Sequence, residues 1–115
     1  MSRARGPGRF VPALLFLGLL GSAAAPRDEV AVTFSRGSVK PSEVRARKGD
    51  SVRLLLRSDE GEHCFAIDAL RVEKRVVPGR TTTVELSLDR AGEFPYHCCL
   101  EPRSAGERGR LVVSE

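Results

Sequence analysis

From Asp28 onward, apolar and polar residues alternate with a period of two, and no segment holds a helical period. EVAVTF sets Val30, Val32 and Phe34 on one side. SVRLLLR sets Val52, Leu54 and Leu56 on one side and Arg53 and Arg57 on the other, and TTTVELSL opposes Val84, Leu86 and Leu88 to Thr83, Glu85 and Ser87. Successive side chains of a strand point to opposite faces, so each run predicts a half-buried strand. HCFAID, EKRVV, EFPYHCC and RGRLVVS continue the series, separated by turn chemistry at KGD (48–50), SDEGE (58–62), PGR (78–80) and DRAG (89–92). About seven or eight short strands with turns every few residues predict an all-β fold, an antiparallel sandwich or small barrel.

The first residues follow another pattern. MSRARGPGRF carries three arginines and no acid, VPALLFLGLLG is apolar, and SAAAP supplies small residues. Basic, apolar and small segments in that order predict a secretory signal peptide. The run from Val11 to Gly21 falls short of the roughly 20 apolar residues that span a bilayer. Ser22 and Ala24 occupy the small-residue positions before a cut after Ala24. The expectation is a leader over residues 1–24 and one domain over 25–115, periplasmic or secreted, with no membrane span in the mature form. The formal charge of +4 includes Arg3, Arg5 and Arg9 of the leader. Without a clustered basic face, nucleic-acid binding is not expected.

Export places the three cysteines in an oxidising compartment, where thiols pair. An odd count leaves at least one thiol free. In GEFPYHCC, alternation puts Phe94, Tyr96 and Cys98 on one face and Pro95, His97 and Cys99 on the other. His63 has the parity of the core residues Phe65 and Ile67, so it too points inward at a strand start. A thiolate and an imidazole meeting at one end of a rigid sandwich suit copper. The chain has no Ser/His/Asp set, no phosphate-cradling glycine loop and no paired acids in an obvious cleft, so enzymatic activity is not expected. A thiol redox role for Cys98 and Cys99 lacks the C-x-x-C spacing that lowers a thiol pKa.

The segments V-K-P-S-E-V-R-A-R-K-G-D, E-H-C-F-A-I-D-A-L, V-V-P-G-R-T-T-T-V, A-G-E-F-P-Y-H-C and G-R-L-V-V stand in an order that resembles the cupredoxin-like domain. The resemblance runs from about Val30 to Val113, and is to the short exported bacterial type related to the cupredoxin module of EfeO-like proteins. It implies an antiparallel Greek-key β-sandwich of the cupredoxin type that binds copper, for electron transfer with a redox protein partner or for holding the ion. It aligns His63 with the first histidine ligand and Cys98 with the cysteine ligand. The second histidine falls near Glu101 or Pro102 and the methionine at Glu107, so Glu101, Glu107 or His97 would complete a variant site. A competing register makes Cys99 the thiolate. The resemblance also implies a Cys64–Cys99 disulfide that pins the two ligand-bearing segments, against a vicinal Cys98–Cys99 bridge. If the site is degenerate, the fold serves as a metal-free interaction module.

Overall fold

Each alternating run forms a strand because one of its faces is apolar enough to bury. The protein is described by a computed structural model over residues 28–115. The leader expected over residues 1–24, with its cut site, lies outside the described residues. These hold nine strands. They are β1 (Asp28–Ser35), β2 (Ser38–Lys40), β3 (Glu43–Arg47), β4 (Ser51–Ser58) and β5 (His63–Ile67), followed by β6 (Val72–Val76), β7 (Thr82–Ser87), β8 (Gly92–Cys98) and β9 (Arg108–Ser114). Short 3-10 turns, Asp68–Leu70 and Ala105–Glu107, precede β6 and β9.

One sheet has the order β2-β1-β4-β7 and the other β3-β9-β8-β5-β6. The sandwich matches the expected class, with two pairings, β1 with β4 and β3 with β9, parallel rather than antiparallel. The parallel pairs arise because the chain changes sheet between its short second and third strands. β2 pairs with β1 and β3 with β9, and the cis Lys40–Pro41 bond sits at the crossing. The period-two reading does not separate these two strands, because proline interrupts the alternation where the chain leaves one sheet.

The core lies between the sheets. Val32, Phe34, Leu54 and Leu56 from one side meet Phe65, Ile67, Phe94, Tyr96 and Leu111 from the other, all buried. Each such side chain contributes roughly 1.5–3 kcal/mol on burial. Strand β5 departs from the half-buried expectation, since all five of its residues are buried. On its outer face Cys64 is bonded to Cys99, just beyond β8, and Ala66 lies between its ladder partners His97 and Glu73. No helix among the described residues is long and apolar enough to cross a membrane.

Candidate metal centre

Strand register assembles the site. In the β8–β9 hairpin Arg108 pairs with His97, so Glu107 stands opposite Cys98 one step beyond the last ladder pair. Residues directly opposite share a face. On the other side of β8, Phe65 pairs with Cys98, so His63, two residues back along β5, is diagonal to Cys98 on the same face. The loop between Cys98 and Glu107 is folded by successive turn bonds, Glu101 N–H to the Cys98 carbonyl, Ser104 N–H to the Glu101 carbonyl and Glu107 N–H to the Ser104 carbonyl. It therefore returns Glu107 to the thiol from which it started.

Among the described residues, the Cys98 thiol, a His63 ring nitrogen and a Glu107 carboxylate oxygen lie within 4.8 Å of one another. All three side chains are buried, Cys98 completely. His63 Nδ1 is 2.9 Å from Glu107 Oε1 and 3.7 Å from Cys98 Sγ. On the far side of the ring, Nε2 donates to the Glu60 carbonyl at 2.8 Å. A carbonyl only accepts, so Nε2 carries a hydrogen, and Nδ1 is the ring atom that faces the thiol and the carboxylate. The Phe34 ring stacks on the imidazole, with centroids 5.0 Å apart, and fixes its plane.

Burial acts to raise the Glu107 pKa, but the Gly37 N–H, Cys98 and His63 together outweigh it and hold the carboxyl below its ordinary range. The Gly37 N–H donates to Glu107 Oε2 at 3.0 Å. That contact depends on Gly106, where a Cβ would collide with the Gly37 carbonyl oxygen. An ionised carboxylate and an Nδ1 lone pair at this separation repel unless a cation lies between them, and a proton or a metal ion fills that role. A Cys–His–acid nucleophile set would place the thiol and the acid on opposite ring nitrogens. Here both converge on Nδ1, which is the arrangement of ligands about a shared ion.

The remaining candidates fall elsewhere. Cys99 cannot supply the thiolate, because its sulfur is bonded to Cys64, with the Cα atoms 5.0 Å apart, inside the range that a disulfide bridges. Cys98 is the free cysteine. His97 has the opposite parity and lines a separate outer-face cavity with Asp68, Pro95, Pro102 and Arg108. Glu101 is exposed and lies outside the three-residue cluster. It lines the cavity of about 550 Å³ beside that cluster, together with Arg36, Glu60, Glu62, His63 and Glu107. The Gly37 N–H and the Glu60 carbonyl are missed by sequence reasoning because backbone groups carry no residue signature. Glu107, one of three candidates in the sequence, is singled out by the hairpin register that sets it opposite Cys98.

A family model described as the cupredoxin-like domain matches residues 9–113. No curated protein matches the sequence. Among solved structures, the chain is similar to auracyanin A, a "blue" copper protein from the green thermophilic photosynthetic bacterium Chloroflexus aurantiacus. That similarity has a TM-score of 0.65 and 13% identity, covering 77% of this chain and 100% of that one. It is also similar to the periplasmic domain of cytochrome oxidase subunit II of Bradyrhizobium japonicum, with a TM-score of 0.66 and 16% identity over 76% of this chain and 84% of the other. A third is the metal-binding domain of the Cu(I)-exporting P-type ATPase CopA of Streptococcus pneumoniae D39, solved with Cu(I), with a TM-score of 0.64 and 10% identity over 82% of this chain and 92% of that chain.

Proposed function

The chain belongs to the cupredoxin-like domain family, and from that premise we propose that it is an exported copper-binding protein whose ion is held by His63, Cys98 and Glu107. The observation that carries this reading is the His63 ring. Its Nε2–H is held by the Glu60 carbonyl, the backbone partner typical of a metal-bound histidine, and its Nδ1 faces the buried thiol and carboxylate. The donors fit copper, since thiolate and imidazole both bind it and the carboxylate offsets its charge. Copper, when bound, supplies a one-electron couple.

The chain's own residues do the positioning. The sheet fixes Cys98, the Gly37 N–H orients Glu107, and Phe34 holds the imidazole plane. A two-histidine trigonal centre is the donor set associated with blue-copper electron transfer. With one histidine and a carboxylate, holding the ion is favoured over rapid electron transfer. The basic, apolar and small-residue leader and the Cys64–Cys99 bridge support the periplasm or the outside of the cell as its location.

Titration with Cu(II) and with Cu(I), followed by visible absorption and thermal melting, tests the assignment. A thiolate-to-copper band, or a Cu(I)-dependent rise in Tm, is expected in the wild type and lost in Cys98→Ser and His63→Ala. No response in any form would overturn it. One observation favours a second reading, a metal-free interaction module: the three side chains also satisfy one another without an ion. Among the described residues the only buried side-chain polar atom left without a partner is Arg53 Nε, in the sheet that carries none of the three residues.

A further inference from the structure

β5 begins with two adjacent donors, His63 and Cys64, and β8 runs out into two more, Cys98 and Cys99. Phe65 pairs with Cys98, so Cys64 stands opposite Cys99, and the Cys99 N–H donates to the Cys64 carbonyl at 2.7 Å. Adjacent strand residues point to opposite faces. The two strands therefore present one donor pair to the core, His63 with Cys98, and a second pair to the outer face, Cys64 with Cys99. Each pair meets a carboxylate. Glu107 completes the inner group, and an oxygen of Glu73 lies within 4.8 Å of both outer sulfurs. Glu73 is brought there by β6, where it pairs with Ala66 on the same face as Cys64.

We propose that Cys64, Cys99 and Glu73 form a second metal site, back to back with the first, closed by the disulfide and opened by its reduction. A dithiol reductant gives two electrons and two protons to the bridge and becomes a disulfide itself. The S–S bond breaks, leaving thiols on Cys64 and Cys99. A thiophilic divalent or cuprous ion then displaces the thiol protons and is held by two thiolates and the Glu73 carboxylate, a donor set that suits zinc, cobalt or Cu(I). Glu73 and Cys99 are not fully buried, so the ion reaches this site from solvent without crossing the core. The site is independent of the copper assignment, because it shares no donor with His63, Cys98 and Glu107.

Co(II) is the probe, because its thiolate charge-transfer band reports sulfur ligation. The protein is titrated before and after reduction by a dithiol that is then removed, beside a His63→Ala/Cys98→Ser variant lacking the inner donors. Reduction is expected to add one equivalent of Co(II) with a sulfur band in both proteins, and Zn(II) should displace it. Glu73→Gln is expected to weaken this binding by about tenfold or more, Cys64→Ser to abolish the band, and Glu93→Gln to change neither. No added equivalent in reduced protein that stays folded by circular dichroism would overturn the proposal. So would unfolding on reduction, since the site needs the paired strands, and so would a Glu73→Gln variant that binds as tightly as the wild type, which would indicate an unorganised dithiol.

Discussion

Tyr96 is the only tyrosine in a chain without tryptophan, so its ultraviolet absorbance reports one phenol. Burial, helped by the nearby Glu43 charge, raises its pKa from 10.0 to about 12. Its O–H donates to the Pro41 carbonyl at 2.6 Å. A folded pKa above the unfolded one means that this group's stabilisation is fully present below pH 10.0 and lost as the pH climbs through about 12. Spectrophotometric titration should place the native midpoint near 12, and Tyr96→Phe should abolish the signal and cost about 0.5–1.5 kcal/mol in chemical denaturation. A second residue-scale expectation concerns Glu107→Gln. The amide keeps the shape but loses the charge facing Gly37, Cys98 and His63, so copper affinity should fall in a chelator competition. At this scale the sequence makes His63 and Cys98 legible by parity alone, each sharing a face with aromatic core residues. Glu107 stands there only as one of three candidates, because alternation says nothing about where a loop turns back.

The hairpin of β8 and β9 is the element on which the centre depends. Its closing turn, Ala105–Glu107, presses against the Gly37 backbone, and Gly106 is the residue that permits the approach. Gly106→Ala should destabilise the protein by roughly 1–3 kcal/mol, read as a lower denaturation midpoint, and should also weaken metal binding by displacing Glu107. The Cys64–Cys99 bridge spans 35 residues of sequence. A loop of that length implies a loss of roughly 3–4 kcal/mol when the bridge is removed, to be checked by the denaturation midpoint of Cys64→Ser/Cys99→Ser. Strands β1, β4, β7 and β8 are visible in the sequence because each has one apolar face. The division into β2 and β3 is not, since three and five residues around a proline are too few to show a period. The burial of both faces of β5 is equally hidden. Cys64 and Ala66 read as outward residues, yet both are buried.

Across the whole molecule, two sheets enclose one apolar core and bring the ends of β5 and β8 together with the loop before β9. The sandwich follows from alternation and turn spacing, whereas the parallel β1–β4 and β3–β9 pairs depend on sheet order, which alternation does not encode. The same architecture separates the donors into an inner and an outer group by strand parity. The family gives the fold its expected metal, and on the reading proposed above Glu107 would complete the donor set at the position where the family motif places methionine. X-ray absorption at the copper edge of the loaded protein tests this account most directly. One sulfur scatterer together with nitrogen or oxygen donors, the sulfur lost in Cys98→Ser, is the predicted result. A copper shell without sulfur, or one unchanged in that variant, would contradict the assignment of His63, Cys98 and Glu107 as the centre.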